Sequence, residues 1–246
     1  MELNEKFFNW IETSKNIVFF GGAGVSTESG IPDFRSVDGL YNQKYPYPPE
    51  KILSHTFFMN HRKEFYEFYW DKMIFPNAKP NVTHEKLAKL EQIGKVKAVI
   101  TQNIDGLHQK AGSKKVMELH GSVHRNYCME CGKFYSLETL LEQNKEKNSA
   151  FVPRCSCGGV LKPDVVLYEE GLDERVMQKT IEAISNADLL IIGGTSLSVY
   201  PAAGFIRYFQ GNRLVLINKS HTPYDEKVDL VLNCGLGEVF SGLMVD

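Results

Sequence analysis

Short, wholly apolar runs alternate with segments of helical spacing along most of this 246-residue chain, and that alternation limits the fold more than any other feature. Asn4 caps a short amphipathic helix with Phe7, Phe8 and Ile11 turned inward, and Ile17-Val18-Phe19-Phe20 follows it before breaking at Gly21-Gly22-Ala23-Gly24. Leu87, Leu90 and Ile93 recur at helical spacing over Thr83 to Ile93, stop at Gly94, and lead into a second apolar run, Val96 to Thr101. Val116 to Leu119, Val165 to Leu167, Leu189 to Ile192, Leu214 to Ile217 and Val228 to Leu232 continue the series. Helical patterns surround Ile181/Ile184, Phe205/Phe209 and Val239/Leu243. Strands without a polar face are buried on both sides, so the alternation predicts an α/β fold: a parallel sheet with helices on both faces.

Two stretches break the pattern. Gly39 to Phe75 is rich in aromatic residues and proline, with Phe57, Phe58, Phe65, Phe68 and Tyr69 at helical spacing, and Val123 to Val160 holds four of the five cysteines. Both read as insertions that build a second, smaller domain packed against the sheet, with a cleft between the two. The 28 basic residues against 30 acidic ones leave a net charge of -2, so no overall positive field drives general nucleic-acid binding. Glu2, Glu5, Lys6 and Glu12 interrupt the first apolar residues, and Ile17 to Phe20 is too short for a signal peptide or membrane span. A cytosolic location is the expectation. There disulfides are disfavoured, and the cysteine spacing becomes a question about metal.

Cys128-Met129-Glu130-Cys131 and Cys155-Ser156-Cys157 supply four thiolates in two close pairs, the number and softness of a closed tetrahedral zinc site with a structural role. Buried free thiols or a redox pair are the alternatives. Cys234 stands apart and reads as packing. The turn Gly22-Ala23-Gly24-Val25-Ser26 resembles the first turn of a dinucleotide fold, where glycines let backbone N–H groups approach a pyrophosphate, although Thr27 occupies the place of the usual third glycine. The alternative is a tight structural turn. Gly193-Gly194-Thr195-Ser196 ends another apolar strand and offers hydroxyls and amides to the same phosphates. Thr101-Gln102-Asn103-Ile104-Asp105 ends a strand where open parallel sheets bind ligands, either to hold a ribose and a carboxamide or as a turn made by Asx hydrogen bonds. His120 ends a further strand and suits a general base near neutral pH, against the more common structural histidine.

Taken in order, these segments resemble the sirtuin family of NAD-dependent protein deacylases over nearly the whole chain. Gly22 to Ser26 through Ser29-Gly30-Ile31-Pro32-Asp33-Phe34-Arg35 is similar to the family's nucleotide loop. Thr101 to Asp105 with Leu107-His108, Glu118-Leu119-His120-Gly121, the four cysteines, Lys162-Pro163-Asp164-Val165-Val166, Gly194-Thr195-Ser196-Leu197 and Ile217-Asn218 follow in the family's order.

The resemblance implies a Rossmann-like domain (1–38, 76–122 and 161–246) and a small domain made of a helical insertion (39–75) and a zinc-binding insertion (123–160). NAD, as co-substrate, and an acyl-lysine of a protein substrate would enter the cleft between them. By motif, Gly22, Ala23, Gly24, Gly194, Thr195 and Ser196 would hold the pyrophosphate, Asn218 the adenosine ribose and Gln102 the nicotinamide ribose. Asn103, Ile104 and Asp105 with Ile31 and Asp33 would line the nicotinamide pocket, and Phe34 would shield the reacting sugar. Arg35 and Cys234 belong to the cofactor-binding set. Val166, Tyr168 and Glu169 would meet the substrate, and Cys128, Cys131, Cys155 and Cys157 would bind one zinc.

Asn103 and His120 would be catalytic. The acyl oxygen would displace nicotinamide to give an imidate, His120 would then remove a proton from the ribose hydroxyl pair so that the 2′-oxygen attacks the imidate carbon, and water would release lysine and 2′-O-acyl-ADP-ribose. Mono-ADP-ribosyl transfer on the same fold is the nearest rival, followed by a non-catalytic reader and a dehydrogenase. Two departures bear on substrate: Glu169 stands where many members have glycine, and Phe65-Tyr66-Glu67-Phe68-Tyr69 lacks the Tyr-x-x-Arg pair with which one branch binds acidic acyl groups. A monomer is expected.

Overall fold

The structure is a computed structural model, and it describes residues 2–34, 39, 45–145 and 151–245. Six parallel strands form the main sheet: β1 (Ile17–Gly21), β2 (Val96–Thr101), β3 (Val116–Glu118), β7 (Leu189–Gly193), β8 (Leu214–Ile217) and β9 (Leu230–Leu232). Their spatial order is β3-β2-β1-β7-β8-β9. Successive side chains of a strand face opposite ways. Ile17 and Phe19 therefore enter one core with Phe7, Ile11, Leu87, Leu90, Val239 and Phe240, while Val18 and Phe20 enter the other with Ile184, Ala202, Ala203 and Ile206. The first core is roofed by α1 (Glu2–Thr13), α5 (Val82–Gln92) and α9 (Leu236–Ser241). The second is roofed by α8 (Glu174–Ser185) and a 3₁₀ helix, Ala202–Tyr208.

A second sheet is antiparallel, with order β5-β4-β6 from β4 (Gly121–Cys128), β5 (Phe134–Ser136) and β6 (Leu161–Val165). Against it pack α3 (His55–Asn60), α4 (Arg62–Lys72) and α7 (Leu137–Asn144), through a core in which Phe57, Phe58, Phe65, Tyr66, Phe68 and Tyr69 meet Val123, Leu137 and Val165. The buried Tyr66 hydroxyl donates to the Leu161 carbonyl and so fastens α4 to β6.

Several sequence expectations are corrected here. Asn4 lies inside α1, which starts at Glu2, and so stands past the position from which a side chain caps a helix. The strand expected at Val165 to Leu167 is Leu161–Val165, and it pairs with β4 instead of joining the parallel sheet. Lys162 and Pro163 disguised it. The strand is half-buried in strict alternation, and with β4 as its one partner it is an edge strand, where proline is tolerated. The helical pattern around Phe205 is a 3₁₀ helix, and the cysteine-bearing insertion contains α7, which the cysteine spacing did not signal.

Candidate active site

The order of strands reverses at β1, with β2 on one side and β7 on the other, and at such a switch point the loops leaving the carboxyl ends diverge to open a crevice. The loops after β1 and β7 touch backbone to backbone. Gly22 N donates to Gly193 O at 3.1 Å and Gly24 N to Gly194 O at 2.8 Å. A Cβ on Gly24 would stand 2.7 Å from the Gly194 Cα, and one on Gly22 would stand 2.7 Å from the Thr195 Cβ. These glycines thus serve the contact between the two turns. The Gly22 and Gly24 amides are engaged there.

Two cavities occupy the crevice and share a wall at Ala23, Phe34, Gln102, Asn103 and His120. The first continues along polar loops: Gly22, Gly24, Asp33, Gly194, Thr195, Ser196, Asn218 and Cys234 line it. The second is mostly apolar and is lined by Ile31, Ile104, Asp105, Val166, Tyr168 and Glu169, with Leu53, Val165 and Leu167 among its walls. Asp33 therefore falls on the polar cavity, apart from Ile31. Arg35 lies outside the described residues. Cys234 both packs against the core and faces the polar cavity, its thiol pushed up by burial.

At the shared wall, His120 Nδ1 lies 2.9 Å from the Gln102 carbonyl oxygen. A carbonyl only accepts, so Nδ1 carries the proton and the Nε2 lone pair is left open. Burial lowers the pKa of this imidazole, and the bond to Gln102 opposes the shift. Ser26 Oγ donates to the Asp105 carboxylate at 2.6 Å and receives the Asn103 Nδ2 at 3.0 Å. With its nitrogen so committed, Asn103 keeps its side-chain oxygen without a hydrogen-bond partner among the described residues. Asp105 also accepts from Leu107 N at 2.9 Å, and its own carbonyl meets His124 Nε2 at 3.0 Å. Gln102 Nε2 reaches Thr195 Oγ1 at 3.2 Å, which links the second loop to the third.

Sequence reasoning missed Ser26 and His124 as parts of this network. Ser26 had a signal, a hydroxyl two residues past Gly24. His124 had none, because it comes from the antiparallel sheet.

Some way along β4, the Cys128, Cys131, Cys155 and Cys157 sulfurs all lie within 4.8 Å of one another. Cys128 to Cys157 and Cys131 to Cys157 are each 3.5 Å, and Cys131 to Cys155 is 3.6 Å. A tetrahedron of sulfurs about 2.3 Å from zinc has edges of about 3.8 Å, so the four thiolates fit one structural zinc. Tyr135 Oη donates to Cys155 Sγ at 3.2 Å as outer support.

The sequence pattern of the Sir2 family matches residues 22–201. An NAD-dependent protein deacetylase of Clostridium acetobutylicum is 62% identical over 232 residues, covering 93% of each chain. Among solved structures, a Sir2 His-to-Ala variant with a deacetylated p53 peptide and 3′-O-acetyl ADP-ribose is 40% identical with a TM-score of 0.87, covering 96% of this chain and 95% of that one. A Sir2–p53 peptide–NAD⁺ structure is 41% identical with a TM-score of 0.84, covering 97% and 95%. The chain belongs to the Sir2 family.

Proposed function

We propose that this protein is an NAD-dependent protein lysine deacylase that transfers the acyl group of an acyl-lysine to ADP-ribose, releasing nicotinamide and 2′-O-acyl-ADP-ribose. The observation that carries the reading is the meeting of a polar cavity and an apolar cavity at Asn103 and the open Nε2 of His120. The polar cavity takes the nucleotide, with the loops at Ala23 and Thr195 near the pyrophosphate, Asn218 near the adenosine ribose and Gln102 near the other ribose. The apolar cavity takes the acyl-lysine from one side, past Val166 and Tyr168, and the nicotinamide from the other, against Ile31, Ile104 and Asp105.

When bound, NAD supplies an acyl acceptor whose leaving group already carries positive charge. The residues around it do the rest. Phe34, Ile31 and Ile104 exclude water, which would otherwise compete with the weakly nucleophilic acyl oxygen. Asn103 presents an amide oxygen to the ribose, held by Ser26. His120 accepts a ribose hydroxyl proton at Nε2, and the Gln102 carbonyl stabilises the imidazolium through Nδ1–H. Among the described residues no arginine lines the apolar cavity, and its Lys72 is already paired with Asp71 at 3.0 Å, so neutral acyl groups suit it better than acidic ones.

A cytosolic place of work, where four cysteines stay reduced for zinc, suits the thiolate cluster; among the described residues no helix is long and apolar enough to cross a membrane. The test is incubation with NAD and an acetylated peptide, followed by mass spectrometry. Nicotinamide and acyl-ADP-ribose in equal amounts are expected; ADP-ribosylated protein without loss of acetyl would overturn the reading.

A further inference from the structure

We propose that Asn81, which lines neither cavity, is a positioning residue for the nucleotide: its side chain locks the turns after β1 into the shape that walls the polar cavity. The inference rests on the deacylase reading. Asn81 is the N-cap of α5, and the two ends of its amide have separate tasks. Oδ1 accepts from Thr83 N at 3.0 Å and His84 N at 3.4 Å, while His84 Nδ1 faces the Asn81 N–H at 3.3 Å to complete a capping box. Nδ2 points away from the helix and donates to the Val25 carbonyl at 2.8 Å and to the Ser29 hydroxyl at 3.0 Å. Because a carbonyl only accepts, Val25 settles which end of the amide faces the loop.

Val25 and Ser29 close two consecutive 3₁₀ turns, Ala23–Val25 and Thr27–Ser29, neither of which has a side-chain cap of its own. Such three-residue turns have poor hydrogen-bond geometry and little stability by themselves. Yet they carry Ala23, Gly24, Thr27 and Glu28 to the polar cavity and hold Ser26 against Asn103 and Asp105. Glu28 tethers the far side through Gly237 N at 3.2 Å, and Asn81 ties the middle to an 11-residue helix whose Leu87 and Leu90 are buried in the core. Without that tie the helix still forms, but the turns must be ordered when the nucleotide arrives, and binding bears the cost.

The two tasks separate by substitution. Asn81→Asp keeps the capping oxygen and removes the donor, turning an oxygen toward the Val25 carbonyl. Asn81→Ala removes both, and Ser29→Ala removes one loop partner without touching α5. Three readouts apply: calorimetric affinity for ADP-ribose, amide exchange of residues 23–29 in nucleotide-free protein, and steady-state deacylation.

Asn81→Asp is expected to weaken ADP-ribose binding by about tenfold and to speed loop exchange similarly, the order expected for two lost hydrogen bonds. KM for NAD rises with it, KM for the peptide stays within about twofold, and the melting temperature stays near the parent's. Ser29→Ala should move the same readouts by about threefold. Parent-like ADP-ribose affinity and loop exchange in Asn81→Asp, or losses that only track a fall in melting temperature matching Asn81→Ala, would overturn the proposal and leave Asn81 a helix cap. A parent protein that binds no ADP-ribose would instead sink the deacylase reading, and the exchange comparison would still test the lock.

Discussion

At the scale of single residues, three histidines take opposite fortunes from burial. His120 has a carbonyl partner on one nitrogen and a cavity beside the other, whereas His84 and His108 lie tilted against each other in the interior, ring centroids 4.6 Å apart. Asn103→Ala should reduce nicotinamide exchange and deacylation together, since Asn103 acts at the ribose. His120→Ala should nearly abolish deacylation, by about 10² to 10⁴-fold, while some exchange of labelled nicotinamide into NAD survives because the base acts after nicotinamide has left. Equal losses of exchange and deacylation in the His120 variant would put the base at the wrong step. The lowered pKa of His120 has a direct consequence: the neutral base persists below the ordinary imidazole value of about 6.5, so the acid limb of kcat/KM should lie beneath it.

Stability has its own pH dependence. Burial lowers His84 to about 4, lowers His108 well below its usual value, and lowers His120. Between pH about 6.5 and 4 the unfolded chain therefore binds protons that the folded chain refuses. The stability these histidines contribute is full above that window and is lost as pH falls through it, by roughly 3 kcal/mol for His84 alone. Urea midpoints at pH 7, 6 and 5 should fall steadily; a flat series would contradict the burial of neutral imidazoles.

Among elements, the loop after β6 carries the most information about specificity. Tyr168 exchanges backbone hydrogen bonds with Leu53 and His55, adding this loop to the start of α3. Glu169 then takes φ 75°, the left-handed region that favours glycine. Its carboxylate accepts from Thr56 N at 2.9 Å and Thr56 Oγ1 at 2.7 Å in the first turn of α3, while Glu170 joins His55 at 2.8 Å to Lys162 at 3.1 Å. Two effects oppose at this position. Glu169→Gly loses the bonds to Thr56 and relieves the backbone, whereas Glu169→Ala loses those bonds and keeps the strain. The Ala variant should melt below the Gly variant, and the reverse order by calorimetry would show that the strain is not felt. The glycine departure was legible in the sequence, but its partner was not. Thr56 lies 113 residues away, and no local pattern links the two positions.

For the whole molecule, zinc and fold are one equilibrium. Cys128 ends β4, and Cys155 and Cys157 sit in the turn that leads into β6, so the metal closes the distal end of the antiparallel sheet that borders the apolar cavity. One zinc per chain is expected, and Cys128→Ala or chelation should lower the melting temperature by at least about 10 °C, because a closed thiolate site adds its binding free energy to folding. Metal content well below one per chain, or an unchanged melt, would refute this. By itself the sequence determined the parallel sheet, the four zinc ligands and the polar residues at the strand ends, because hydrophobic period, cysteine spacing and glycine turns are local signals. Only the tertiary structure decided that β6 joins the antiparallel sheet, that Gly22 and Gly24 spend their amides on the neighbouring turn, and that Ser26, His124 and Asn81 hold the site. Those outcomes depend on which distant backbone group lies within hydrogen-bond reach, and that distance exists only once both layers have packed.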